Sequence, residues 1–544
     1  AASFYDELLK TFPETERKSE LTFLMAEALN DAGSLPRAVA AYEQVAYEFL
    51  DEQRGATAGY AAILALDSQL QQYENLPAPE TQGEQEALTA LQNHRINSAI
   101  SFADYYPADE RAVAVLTNAA ERLYREGDKE QAIVVASRLT TWQPTQSLAL
   151  QKTAWLVLAH SQFELEQYQL AEEAYRHVLT IIAETDQDRA QVLDRIAASM
   201  YKRAEQEIAV GAKSQGVNRM LSISLIAPAT ELAMNGQYDA ANYLVEMQEW
   251  TRAERVLIDF QQRFPAHQLA KTIPPKLAVI YQETEQWDKA AEQLAIMSSG
   301  DADPETRRSA LYLSAELYQK SGNVPLAKRT YGDYIQRYPE PFDLALEARV
   351  QLLEMAKAQG AVGDQERWLK ELITVDAKAG ANRSARSTYL AAQSASYFAA
   401  KDLAAFESIR LRAPIKKTLT AKRKAMDETL KSYKTVIDYG VAEFATEANH
   451  RIGEVYANLY QALLDSERPA GLDELTMEQY EIMLEEQAYP FKGKAVEMLV
   501  INAERSWEGF YDKWVKQSFD ALEILLPARY GKKETVVEVS KGVH

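Results

Sequence analysis

The chain of 544 residues contains no cysteine, and that absence removes disulfides, thiolate metal sites and cysteine nucleophiles together. It sits comfortably with an oxidising compartment such as the periplasm, where a stray thiol is a liability, although cytosolic proteins can lack cysteine too. Glycine (21) and proline (18) are scarce for this length, so turns are few and helices long. β-Branched runs are nearly confined to "TVVEVS" at 535–540. No apolar run approaches the ~20 residues that span a bilayer, and no signal peptide is visible, although a processed chain would have lost one. Positive charge is in deficit as well: 59 Lys and Arg stand against 80 Asp and Glu, for a net charge of −21. Nucleic-acid binding needs clustered cations to displace phosphate counterions, so that class is set aside.

What is present is helix-forming. Ala, Leu, Glu and Gln dominate, and these are good helix formers. A hydrophobic share of 47% and a charged share of 26% fit a folded chain, not a disordered one. At this length a single compact core is excluded unless the chain is an array that grows in one dimension.

Self-similarity supplies that array. Taking Ala38 as anchor, Tyr42 lies four residues on, Val45 seven on, and Ala26 twelve before. The same frame around Ala132 finds Ala120, Gly127, Leu139 and Pro144; around Ala327 it finds Ala315, Tyr318, Gly322, Tyr331, Tyr334 and Pro339. Ala1 to Ala38, Gly216 to Ala253, Ala253 to Ala290 and Ala290 to Ala327 are each 37 residues, with looser gaps of 39 and 45 around Ala171. Each unit reads as two helices. Small residues at positions 8 and 20 allow close approach, bulky ones fill the space between, a Gly near position 15 turns the chain, and a closing Pro ends the second helix. No pair can bury its apolar face alone, so neighbours must stack.

This pattern resembles the tetratricopeptide repeat, with Trp155, Leu158, Ala159, Ala171 and Tyr175 as one well-preserved copy. The family's period is about 34 residues; the longer one here implies a longer second helix or linker. Units ending "KTFP", "DYYP", "QRFP" and "QRYP" resemble those of bacterial cell-envelope members such as the outer-membrane assembly lipoproteins. The resemblance covers residues 1–414 and implies an all-α solenoid, a right-handed superhelix of helix pairs. It implies a non-catalytic scaffold in a periplasmic or envelope-associated multi-protein complex. In this frame "AASFYDELLKTFPETE" begins mid-repeat, since Ala1, Tyr5, Leu8 and Pro13 take second-helix positions, so further repeats are expected upstream. An insertion is expected at 73–87 between helices over about 56–72 and 86–105, and the units become degenerate after about 345. Residues 415–544 are expected to form an irregular C-terminal helical domain with an extended tail, in which Pro490 breaks the helix carrying Met477, Tyr480, Met483 and Leu484.

The sequence offers little chemistry. Six histidines are spread without metal-ligand spacing, and nucleophile-elbow, Walker and dinucleotide motifs are missing. No enzyme activity, metal or cofactor is expected. The resemblance places ligands on the concave face, against positions 2, 5, 9 and 12 of the first helices. Position 5 carries Phe23, Tyr201, Tyr238 and Tyr312, and position 9 carries Glu27, Glu121, Glu205 and Glu316. The two positions are i and i+4 and share a face. A ladder of aromatic and carboxylate side chains suits a basic or apolar–basic helix or extended segment of a partner protein. The competing reading is that the aromatics only pack against neighbouring repeats. A basic cluster, Arg410, Arg412, Lys416, Lys417, Lys422, Arg423 and Lys424, reads either as a solvated helix face or as a patch for an anionic surface. Two other functions stay open: a structural subunit of a larger assembly, and a peripheral membrane adaptor using the 410–424 patch.

Overall fold

Residues 1–74, 79, 81–144, 147–412 and 414–532 are described in the computed structural model of the chain; "TVVEVS" and the expected tail lie outside them, as does the middle of the 73–87 segment. Among the described residues there is no strand. The chain is an all-α solenoid that divides into two compact units, Ala1–Ile273 and Pro274–His544.

The first unit contains α1 (Ala2–Thr11), α2 (Lys18–Asp31), α3 (Leu35–Glu43), α4 (Gly55–Glu74), α5 (Gln82–Tyr105), α6 (Ala112–Glu126) and α7 (Lys129–Thr140). It continues through α8 (Leu148–Glu164), α9 (Tyr168–Ile181), α10 (Arg189–Ala209), α11 (Lys213–Ile226), α12 (Glu231–Glu246) and α13 (Trp250–Arg263). Each helix packs on its neighbour in sequence, and first helices also meet the first helix of the next pair, as α6 meets α8 and α10 meets α12. That is the stacking the repeat frame requires. The small residues of the frame explain it: Ala26, Ala38, Ala120, Ala132, Ala159, Ala171, Ala241 and Ala253 are fully buried. Gly127 turns the chain between α6 and α7 with φ +98°, a left-handed conformation that costs glycine nothing, and Asp128 then caps α7 by accepting from the Gln131 N–H. Pro265 follows the end of α13 as expected.

The second unit opens with α14 (Ile273–Glu283), α15 (Trp287–Ser299), α16 (Pro304–Lys320), α17 (Val324–Arg337), α18 (Phe342–Ala358) and α19 (Val362–Lys378). The longer α20 (Ala385–Ser408), α21 (Ile415–Asp438), α22 (Ala442–Leu464) and α23 (Glu474–Arg505) follow, then α24 (Lys513–Leu525) and α25 (Pro527–Tyr530). The lengthening thus begins at Ala385, before residue 415. Ala290 and Ala327 are fully buried and Ala278 nearly so, which keeps the frame intact through α17.

Two expectations need correction. The helices around the 73–87 segment are longer than expected, because Thr81 and Glu84 form a capping box that starts α5 at Gln82. Pro490 does not break its helix: α23 runs 32 residues straight through it. Proline removes one N–H and crowds the preceding turn, at a cost of about 3 kcal/mol. Here Pro490 and Glu486 are both exposed, so the carbonyl that loses its donor can be satisfied by solvent. Leu484, Ala488, Ala495 and Leu499 meanwhile hold both halves of the helix by burial.

Candidate partner-binding face

The ladder residues stand on first helices in both units: Phe23 and Glu27 on α2, Glu121 on α6, Tyr201 and Glu205 on α10, Tyr238 on α12, Tyr312 and Glu316 on α16. All four rings are half-buried. Each has a definite support. Phe23 meets the edge of Tyr42 at 5.9 Å, Tyr238 that of Phe260 at 6.1 Å, and Tyr312 those of Tyr331 and Tyr334 at 5.7 and 5.1 Å. These supporting rings come from the second helix of the same pair and are buried. Tyr201 instead reaches the next first helix, its hydroxyl donating to Asp239 at 2.6 Å. The Tyr238 hydroxyl lies 2.6 Å from Thr272 Oγ1. The aromatics are therefore seated on the core along one edge and open on the other.

The four carboxylates differ. Glu27 accepts from the Tyr42 hydroxyl at 2.5 Å, and Glu205 pairs with Lys202 on its own helix at 2.8 Å. Glu121 and Glu316 meet no cation among the described residues. Burial raises the Glu316 carboxyl above its usual range. Burial, with Glu316 and Glu347 nearby, lifts the Tyr312 phenol to about 12. The structure brings Tyr201 and Tyr238 onto adjacent stacked helices, whereas Phe23 and Glu27 stay within the first complete pair.

The first unit holds two clusters that the sequence reading missed. A cavity of about 460 Å³ is lined by Tyr60, Leu64, Asp67, Arg95, Arg111 and Asn118 of α4 to α6. Arg95 grips Asp67 with two bonds of 2.9 and 3.0 Å, and Arg122 adds a third of 3.0 Å. Arg111 lies over the Tyr60 ring, 4.6 Å away, and pairs with Asp109 at 2.7 Å. Arg95 and Arg122 share Asp67, Arg111 has Asp109, and Glu110 also lines the cavity, so the cavity offers no surplus positive charge. Arg95 could be flagged in the sequence only as a cation among Ile96, Ala99 and Phe102 on a buried face.

The second cluster surrounds His160, at position 9 of its repeat. Its Nδ1 lies 2.6 Å from the Tyr175 hydroxyl, with Tyr124 and Glu164 beside it. Burial, helped by Arg195, pushes the imidazole down to about 4. The unfolded chain takes up that proton near pH 6.5, the folded chain only near 4, so the associated stability is present above pH 6.5 and drains as pH falls toward 4. His94 runs the other way, because its bond to Glu43 raises it. The expected result is that native protein loses about 2 kcal/mol between pH 7 and 4.5 that His160→Gln does not lose, after allowance for solvent screening. Urea midpoints of the two proteins at both pH values test this; parallel losses would show that His160 protonates freely in the fold.

One member of the basic patch is misplaced by the sequence reading. Lys422 is 2% exposed, its Nζ donating to the Phe406 and Ile409 carbonyls at 3.2 and 3.0 Å above the Phe406 ring. It caps the C-terminal end of α20, where free carbonyls concentrate negative charge, and burial lowers its pKa. Lys416, Lys417, Arg423 and Lys424 are exposed, and their spacing puts them on one face of α21.

A serine and a histidine, Ser518 and His450, approach to 3.1 Å in the second unit. Both are buried, and the Ser518 hydroxyl already donates to the Trp514 carbonyl at 2.7 Å. A hydroxyl so engaged and closed to solvent packs helices together; it does not attack a substrate. Among the described residues no group of three His, Asp or Glu is placed to hold a metal, and no helix is long and apolar enough to cross a membrane.

No curated protein matches the chain. Among solved structures, it is similar to the C-terminal part of a TPR repeat-containing protein from Cytophaga hutchinsonii, at 12% identity and a TM-score of 0.23 over 50% of this chain and 98% of that one. A tetratricopeptide repeat protein from Parabacteroides merdae gives 12% and 0.22 over 53% and 98%, and Pseudomonas aeruginosa pilF gives 16% and 0.19 over 44% and 98%. Residues 309–341, the pair α16 and α17 that carries Tyr312 and Glu316, match the family model of the tetratricopeptide repeat.

Proposed function

We propose that the chain is a non-catalytic scaffold that holds partner proteins against the first helices of its repeats, within a multi-protein complex of a bacterial cell envelope. The observation that carries the binding reading is the seating of the ladder. Tyr201, Tyr238 and Tyr312 are fixed along one edge and open on the other, so they offer contact area without losing much side-chain freedom. Glu121 in the first unit and Glu316 in the second take the neighbouring first-helix position and pair with no cation among the described residues. In a chain of net charge −21 such a surface favours cationic segments, speeds their encounter and makes binding sensitive to salt. The envelope assignment rests on the absence of cysteine and on the repeat endings "QRFP" and "QRYP".

The ladder tyrosines are poor test positions, because removing a ring also removes packing on Phe260 or Tyr334. The glutamates are better. Random 16-residue peptides selected on the full-length immobilised chain are expected to be enriched in Lys, Arg and apolar residues. Glu27→Gln, Glu121→Gln, Glu205→Gln and Glu316→Gln together should weaken the selected binders about tenfold and flatten their salt dependence. Enrichment of neutral or acidic peptides, or binding indifferent to the four changes, removes this face as the site.

A further inference from the structure

The first half of α23 carries a second surface that the repeat frame does not use. Between Glu474 and Ala488 only Leu484 and Ala488 are buried. On the opposite side Leu475, Ile482 and Tyr489 stand 67, 51 and 71% exposed. They recur every seven residues, so they form one stripe along the helix, about 21 Å long at 1.5 Å per residue. A helix packed on one face is expected to be polar on the other; this one sets a row of three apolar side chains, about 10 Å apart, among its outward polar residues.

The edges of the stripe are acidic. Glu474, Glu478 and Glu485 follow one side and Glu486 the other. None of the four meets a cation among the described residues; Arg468 is taken by Glu481 at 3.3 Å. An apolar stripe bounded by free carboxylates is complementary to a helix whose apolar residues also recur every seven and are bounded by Lys or Arg. We infer that the N-terminal half of α23 docks a cationic amphipathic helix of a partner protein, about four turns long, separately from the repeat ladder. The free carboxylates argue against two other occupants. A second copy would set glutamate against glutamate, and an anionic membrane would be repelled.

The probe is a synthetic 21-residue Leu/Lys peptide with an ideal amphipathic pattern, compared with a scramble of the same composition, on the full-length chain. The patterned peptide is expected to bind at least tenfold more tightly than the scramble. Leu475→Gln, Ile482→Gln and Tyr489→Gln together should abolish that difference, and Glu→Gln at 474, 478, 485 and 486 should weaken binding and reduce its salt dependence. All seven positions are exposed, and unchanged circular dichroism confirms that the variants fold. The four ladder Glu→Gln changes should leave this binding intact, so failure here and failure of the ladder reading are separable. Equal binding of peptide and scramble overturns the proposal, as does a triple variant that binds like the native chain. Two further results would also overturn it, each by showing another occupant. One is a native dimer, seen by light scattering, that the triple variant loses. The other is a tenfold gain in peptide affinity on removal of residues 533–544.

Discussion

Replacing Gly216 by alanine should destabilise the first unit by about 2–3 kcal/mol, although the same change in an open helix stabilises. Gly216 lies in α11, at the position that alanine holds in the other repeats. A Cβ there would lie 2.7 Å from the Ala204 carbonyl oxygen and 2.5 Å from Ile208 Cγ1 of α10. Ile208 can rotate away, but the carbonyl belongs to the backbone, so α10 and α11 must separate and loosen everything they pack together. Against this stands a gain in helix propensity of about 1 kcal/mol. Gly332 in α17 supplies the control: nothing lies within 4 Å of its Cβ position, so Gly332→Ala should keep the propensity gain. A stacked array does not unfold in one step, so amide exchange over 189–226 is the readout for Gly216 and over 324–337 for Gly332. Slower exchange in both variants would show that α10 and α11 are not held at backbone contact.

The close-approach positions were legible because their steric demand is local and repeats: a small residue recurs wherever two helices touch. Ala26, Ala120, Ala159, Ala241 and Ala315 at one position, and Ala38, Ala132, Ala171, Ala253, Ala290 and Ala327 at the other, are all buried. The turns at Gly127 and Gly322 were legible for the same reason, since both take φ values that glycine tolerates best. What escaped the sequence depends on partners distant in the chain. Pro490 looked like a helix end because the covering of α23 by α22 is not a local property. Lys422 looked like a member of a charged cluster because its acceptors, the Phe406 and Ile409 carbonyls, are set by how α20 ends. The capping box of Thr81 and Glu84 is a local signal, and reading it would have placed the start of α5.

The candidate face divides in the same way. That Phe23, Tyr201, Tyr238 and Tyr312 share a helix position with one another follows from the repeat alone. That each ring is held on one edge follows from the second-helix aromatics Tyr42, Phe260, Tyr331 and Tyr334, or, for Tyr201, from Asp239. The glutamates beside them are unequal for a similar reason: Glu27 faces the Tyr42 hydroxyl, while Glu121 and Glu316 form no ion pair among the described residues. Periodicity gives direction on a helix, and side chains brought in by packing decide which of those directions are free.

The largest single loss of stability is expected at Asn502, where Asn502→Leu should cost about 3–5 kcal/mol. Asn502 is fully buried on α23 and uses its whole amide. Its Nδ2 donates to the Thr446 carbonyl at 2.8 Å and to Ser518 Oγ at 3.0 Å, and its Oδ1 accepts from Asn449 at 3.4 Å. One side chain thus ties α22, α23 and α24. Ser518 passes the connection to Trp514 through its own hydroxyl. Asp512 closes it, accepting from Thr446 Oγ1 at 2.6 Å while capping the first turn of α24. Leucine has asparagine's branching but bulkier methyl ends, so the change leaves no cavity; the loss comes from Asn449 being left buried without its acceptor, at about 1–3 kcal/mol, from the contacts that Thr446 and Ser518 each lose, and from crowding at about 1–3 kcal/mol. A network also couples its members. Ser518→Ala alone should cost less, and the double variant should cost at least 1 kcal/mol less than the sum of the two. The measurement is local opening free energy by native-state amide exchange in α22 to α24, with the first unit as an internal reference that should not change. A loss under 1 kcal/mol at Asn502, or strict additivity with Ser518, would mean that apolar packing of Leu499, Ala503 and Leu522 holds these helices and the amide contributes little.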